Sequence, residues 1–220
     1  MNHPLHPTME IRAVYDDTSV RVYQAFRDEI AEEAVQLGTF GSHFGLNRMT
    51  WIKPSFLWMM YRSGWAQKEG QENILAIDIK REAFDYLLEN AVLSKYHSGS
   101  GITQEEWKDR IRHSDIRCQW DPERDPHGRP IHGRAVQLGI RGRVVRDHYV
   151  KDWILHIENI TPYVRRLKQQ LDSGADISGL LPHETVYPLT QAARDNFSCK
   201  NFNSQNKITE KTQNQNQPEE

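Results

Sequence analysis

Residues 48–66 put aromatic faces and positive charge side by side. They hold three of the chain's six tryptophans (Trp51, Trp58 and Trp65) and three of its five methionines, with Arg48, Lys53 and Arg62 and no acidic residue. Two readings fit that composition. In one, the segment is core, and the arginine and lysine stems run along apolar surface to bring their heads to water. In the other, Arg48, Thr50, Lys53 and Ser55 line the mouth of a ligand site. Pro54 suits the first turn of a helix, so Ser55 and the free amides near it would lie at a helix N-terminus, where backbone N–H groups favour an anion.

A second basic stretch, residues 128–146, carries Arg129, Arg134, Arg141, Arg143 and Arg146 and again no acid, with His132 inside it and His127 and His148 flanking it. Arg141 lies between Gly139 and Gly142 at an expected strand end. The arginine fork suits phosphate or carboxylate, and glycine lets a ligand approach the backbone. A solvated positive loop would read the same way. Between Cys118 and Gly128, the residues Asp121, Glu123, Asp125 and His127 fall on an expected loop. Such carboxylates could orient a sugar hydroxyl or act as a general base, although Asp-Pro turns explain them equally well. Their spacing matches no recognised metal site, and no metal is expected. Arg12, between Ile11 and Ala13, needs an anionic partner or ligand if its strand is central; an edge strand would leave it in water.

These side chains need a frame. Ile11–Tyr15 reads as an opening strand. Tyr23, Phe26, Ile30, Ala34 and Leu37 recur at helical spacing, which predicts a helix over about 19–37, started by Asp17 or Thr18 and stopped by Gly38. Arg48–Ile52 is a strand candidate, and a buried helix runs from Pro54 to Gly64. A strand over Ile74–Ile79 leads into a helix at about 81–92. Thr103 and Glu106 form a capping box for a helix carrying Trp107 and Ile111. Ile116–Trp120 and Ala135–Ile140 are strands joined by a turn-rich linker, Trp153–Ile157 alternates as a strand, and Thr161 and Pro162 open a last helix ending at Gly174. The class is α+β, one domain over 9–190 with a mixed, mostly antiparallel sheet flanked by helices. Residues 1–8 read as a flexible leader. Residues 191–220, rich in Asn, Gln, Ser, Lys and Glu from Asn196 onward, read as a disordered polar tail.

Composition narrows the partners. A formal net charge of −2 over 220 residues gives no global attraction to nucleic acid or an anionic membrane, so any such binding must be local. The longest apolar run, Phe56–Tyr61, is far short of the roughly 20 residues that span a bilayer, and the first residues show no basic-then-apolar signal pattern. Two cysteines, Cys118 and Cys199, make no disulfide framework, so a reducing cytoplasm is the simplest location. A P-loop, a GxGxxG turn, HExxH, GxSxG and paired CxxC are all missing, which makes the enzyme classes they mark poor candidates.

Four segments, 12–16, 48–65, 119–125 and 137–142, resemble those of a family known as domain of unknown function 4291, over about residues 9–190. That family implies no activity, so function rests on the site. A second, weaker resemblance is to the ADP-ribosyltransferase superfamily, whose domains open with a strand bearing an Arg or His that meets NAD. A strand and helix rich in Ser, Thr and aromatics follow, and a later Glu holds the nicotinamide ribose. Arg12, the Thr50–Tyr61 block and Glu123 occur in that order, but no Ser-Thr-Ser triplet is present and Glu123 follows Pro122. This resemblance implies a nucleotide-binding domain that uses NAD as co-substrate. Arg12 and Arg141 would hold phosphates, Trp51 or Trp58 would stack on a ring, and Glu123 would stabilise the oxocarbenium-like ribose. RNA or protein is a possible acceptor. The alternatives are a non-enzymatic RNA- or nucleotide-binding module and a protein-interaction domain. Oligomeric state is not legible.

Overall fold

A computed structural model of the chain describes residues 10–197. The expected leader at 1–8, Cys199 and positions 198–220 of the expected tail lie outside the described residues.

The fold is α+β, built on three hydrogen-bonded sets of strands. β2 (Ser19–Phe26), β4 (Asn73–Lys80) and β8 (Ile154–Asn159) form an antiparallel sheet with β4 in the centre. A second sheet has the order β3 (Thr50–Ile52), β7 (Pro130–Ile140), β6 (Ile116–Arg124), β5 (Val92–Leu93). It is antiparallel apart from the β5–β6 pair. β1 (Arg12–Ala13) and β9 (Thr185–Val186) make a short antiparallel ribbon. The two larger sheets meet at one seam, where the Tyr23 amide donates to the Lys53 carbonyl at 2.7 Å.

Side-chain alternation then makes two cores. Val20, Val22, Leu75 and Ile77 face Ile52, Leu138, Ile140 and Cys118 of the four-stranded sheet. α1 (Asp28–Leu37) and α3 (Arg81–Asn90) join this core through Ile30, Ala34, Phe84 and Leu88. The opposite face, through Tyr23, Ile74 and Ala76, packs on α2 (Phe56–Ser63) and α5 (Thr161–Asp172). Apolar residues on both faces explain why β4 reads as a nearly continuous apolar run.

The single helix expected over 19–37 is instead a strand, β2, followed by the shorter α1. Val20 and Val22 decide the outcome: β-branched side chains lose freedom in a helix and pack well on a pleated surface. Asp17 and Thr18 cap no helix. Asp16 instead accepts from the Thr18 amide and the Ser19 amide, each at 2.7 Å, and so builds the turn into β2. Gly38 does end α1, with φ 69°. α4 (Gln104–His113) has the expected capping box between Thr103 and Glu106.

The loop expected around Glu123 is also corrected. β6 runs through to Arg124, with its register shifted between Pro122 and Arg124, which absorbs the proline that cannot donate to the ladder. Only Asp125–Gly128 turn, and Gly128 takes φ 78° there. A π-helical segment, Val144–Trp153, connects β7 to β8 and buries Tyr149.

The expected tail boundary at 191 moves as well. α6 (Gln191–Phe197) docks on α3, burying Ala193 and Phe197. The Asn196 amide donates to the carbonyls of Leu88 at 2.8 Å and Ala91 at 3.0 Å, satisfying acceptors at the end of α3. The polar composition concealed a helix whose anchor is two apolar residues and one well-aimed amide. Phe197→Ala should therefore destabilise the protein by about 3 kcal/mol. Chemical denaturation checks this, and an unchanged midpoint would mean that α6 is not part of the cooperative unit.

Candidate functional site

A cavity of about 660 Å³ opens between the end of β2, the helix α2 and the outer face of the four-stranded sheet. β3 contributes Thr50 and Trp51, α2 contributes Trp58, Met59 and Arg62, and β6 and β7 contribute Gln119 and Gln137. Arg48 and Lys53 complete a set of three cations, and no carboxylate is among the lining residues described.

Trp51 is positioned by an absence. Its cross-strand partner is Gly139, where an added Cβ would come within 3.0 Å of two indole atoms and 2.8 Å of the Met49 sulfur. The indole and the thioether thus lie directly on the β7 backbone. Ser55 caps α2, its Oγ accepting from the Trp58 amide at 3.2 Å, and Gly64 ends the helix with φ 58°. Trp65 (φ 58°) and Ala66 (φ 64°) continue in the left-handed region, which non-glycine residues seldom enter. The Ser63 hydroxyl holds that turn, accepting from the Ala66 amide at 3.2 Å and donating to Met59 O at 2.9 Å.

Lys53 is the unusual group. It is 7% exposed, its Nζ donates to the Trp51 carbonyl at 3.1 Å, and the ammonium lies 5.5 Å from the Trp58 ring centre. It forms no salt bridge among the described residues. Burial pushes its amine down to about 7, and the nearby positive charge of Arg62 pushes the same way, while Asp121 opposes both. The indole N–H of Trp58, also buried, has no hydrogen-bond partner among the described residues. Such an orphaned donor costs about 1–3 kcal/mol.

Behind the lining sits a polar network. Gln24, buried on β2, donates through Nε2 to Thr50 Oγ1 at 2.7 Å and to Trp51 O at 3.1 Å. Its carbonyl accepts from the Tyr149 hydroxyl at 2.8 Å. Gln119 and Gln137, directly opposite each other on β6 and β7, both donate to the carboxylate of Asp121.

Of the residues singled out in the sequence, Arg48, Thr50, Trp51, Lys53 and Trp58 come together around this cavity. Ser55 and Glu123 lie beside it, at the N-terminus of α2, where the serine hydroxyl donates to Glu123 Oε1 at 2.9 Å. Glu184 joins them, accepting from the Phe56 amide at 2.6 Å, and burial pushes its carboxyl up to about 8, helped by the charge of Glu123. Arg12 and Arg141 line no part of the cavity. Arg12 is exposed and donates to the Glu184 carbonyl at 3.0 Å. Arg141 staples the turn after α4, donating to Arg112 O at 2.7 Å and Ser114 O at 3.2 Å. The other arginines of 128–146 are strung along β7 and beyond it. That strand alone is about 30 Å long, so they do not make one patch.

The glutamines were missed. The available signal was an amide flanked by apolar residues in each of three strands, at Gln24, Gln119 and Gln137, since a buried polar group needs a partner. Among the described residues no group of three or more His, Cys, Asp or Glu side chains could hold a metal ion, and no helix is long and apolar enough to cross a membrane.

Two variants test this reading of the site. Gly139→Ala should cost about 1–3 kcal/mol by displacing Trp51 and Met49; chemical denaturation measures the loss and tryptophan fluorescence reports the moved indole. Lys53→Met should stabilise the fold in acid. The unfolded chain keeps the lysine proton up to about 10.5, the folded protein only to about 7. Between those values the unfolded state binds more protons, so stability rises with pH across the window, and the penalty of burying a charged lysine is greatest below it. Melting curves should show the variant's advantage below about pH 7 and little of it above about pH 10.5; an equal advantage at every pH would mean that Lys53 titrates alike in the folded and unfolded chain.

Comparison with known proteins sets the chain in its family. No curated protein matches it. Residues 10–187 match the profile of a family described as Domain of unknown function (DUF4291), and the match spans both large sheets and every lining residue of the cavity. The chain is a member of that family.

Proposed function

We propose that the cavity binds a nucleotide-like anion, with NAD as the first candidate. The supporting observation is the meeting of three cations, Arg48, Lys53 and Arg62, with two indoles, Trp51 and Trp58, in one concave site. Its volume lies within the ordinary range for small-molecule pockets, about 300–1,000 Å³. The cations suit phosphates and the indoles suit a planar ring.

Transfer or hydrolysis of ADP-ribose asks for more. The glycosidic bond to nicotinamide breaks, nicotinamide leaves with the bonding electrons, and the oxygen of water or of an acceptor bonds to the ribose carbon. A carboxylate must stabilise the positive charge in between. Glu123 is the candidate, but it lies beside the lining and is hydrogen-bonded to Ser55. Binding is thus the better supported half of the reading. A non-enzymatic RNA-binding module would want the basic residues in one track for the phosphates, and the spread of the 128–146 arginines favours it less. A cytoplasmic location belongs to the same proposal and accords with Cys118, a buried free thiol.

Calorimetric titration decides between these. NAD should bind saturably, and Arg48→Ala or Lys53→Met should weaken it about tenfold or more, the usual loss when a charged hydrogen bond is removed. Affinity should fall as pH rises through about 7, because free Lys53 gives up its proton there. Glu123→Gln should bind NAD normally yet release no nicotinamide, if the wild type releases any. Tight binding of a short single-stranded RNA with none of NAD would replace this reading with the RNA module.

A further inference from the structure

The two glutamines in the cavity are not free to choose which end of the amide they show. Gln119 Nε2 donates to Asp121 Oδ1 at 2.9 Å, and Gln137 Nε2 donates to Asp121 Oδ2 at 2.6 Å. Flipping either amide would set a carbonyl oxygen against a carboxylate oxygen and lose a charge-assisted hydrogen bond. Asp121 therefore fixes both side chains with their nitrogens turned towards it. The polar atoms that Asp121 leaves unclaimed are the two amide oxygens and the second N–H of each nitrogen. Gln137 is 8% exposed, and its oxygen accepts no hydrogen bond among the described residues. The oxygen of Gln119 accepts only from the Ser94 hydroxyl, at 3.5 Å, the long limit for such a bond.

Register places these two side chains together. Gln119 and Gln137 are directly paired across β6 and β7, so their side chains leave the sheet on one face about 5 Å apart. Two neighbouring amides in a wall of the cavity, each with its oxygen left as an acceptor, and cations elsewhere around it define a complementary ligand. Its charged end is anionic, and its ring edge carries N–H hydrogens.

We infer that the site selects nucleotides whose ring edge offers a primary amide or amino group to Gln119 and Gln137, and discriminates against counterparts with an oxygen acid or carbonyl in its place. This rests on the nucleotide reading above and adds the identity of the ring edge. A nicotinamide carboxamide and the N1–H and amino edge of guanine share that chemistry. Discrimination of this kind is strong because a buried acceptor left unpaired, or faced by another acceptor, loses its hydration with no return.

Matched pairs test it with the intact protein: nicotinamide mononucleotide against nicotinic acid mononucleotide, and GMP against XMP, by calorimetry. In whichever pair binds, the donor-bearing member should be about tenfold tighter or more. In Asp121→Asn, whose amide can itself donate, one glutamine is free to turn, and the preference should shrink to near parity. Gln137→Leu, which removes one acceptor outright, should also narrow the ratio, and it stands in if Asp121→Asn melts early. Equal affinity within a binding pair in the wild type, or a preference for the acid, would overturn the inference while leaving nucleotide binding intact. Failure of all four compounds and of NAD to bind would overturn both, and binding of NAD with none of the four would overturn this inference alone.

Discussion

The structure depends on the seam where β2 meets β3. There the Tyr23 amide donates to the Lys53 carbonyl at 2.7 Å, and Gln24 reaches across to Thr50 and to the Trp51 carbonyl. Tyr149, from the π-helical segment, closes the network on the remaining amide oxygen. Burial pushes the Tyr149 phenol well up, so it stays a donor. Every polar atom of Gln24 is matched, which is what a buried amide requires. The seam sets the register of β3, and register sets function. A slip of one residue would send Trp51 and Lys53 to opposite faces from those they now occupy, Lys53 into the apolar core and Ile52 into the cavity.

How much of this could be read from the sequence depends on the kind of signal. Terminators acting on the local backbone were legible: Gly38 and Gly64 end their helices, and Thr103 with Glu106 begins one. The 48–66 segment was legible because its composition is extreme, and five of its eight helical residues are buried. Residues 19–26 were misread because Tyr23 and Phe26 happen to extend the spacing of α1. The winning effect, pairing with all eight residues of β4, is non-local and leaves no period in the chain. The turn-rich look of 121–133 failed for a related reason, since one hairpin with a shifted register tolerates prolines that would argue against a strand.

The site was legible by residue type but not by position. Arg48, Lys53 and Trp58 announce themselves through charge and ring area. Arg12 and Arg141 are of the right type but are committed to backbone carbonyls. No sequence pattern separates an arginine that staples a loop from one that binds phosphate. The glutamines carry the opposite lesson. They have no charge and no motif, and they gain meaning only when strand pairing sets Gln119 opposite Gln137 and both against Asp121.

Charge is sorted across the start of α2, and that sorting gives the cavity its character. Lys53 faces the cavity, while two and three residues on Ser55 and Phe56 offer a hydroxyl and an amide to Glu123 and Glu184. The N-terminus of a helix stabilises negative charge, so these carboxylates have a favourable place outside the lining. Glu184, pushed up to about 8, carries mostly a proton near neutrality, which eases the crowding of two acids. Were Glu123 inside instead, it would pair with Lys53, restore that amine towards its ordinary range, and cancel the field an anion would feel. Keeping Glu123 and Glu184 at the helix end and the cations in the cavity leaves Lys53 buried with no salt bridge among the described residues and only the nearby charge of Asp121 to favour its proton, a state that costs stability. A bound anion would offset that cost, and the same offset is what would make its binding tight.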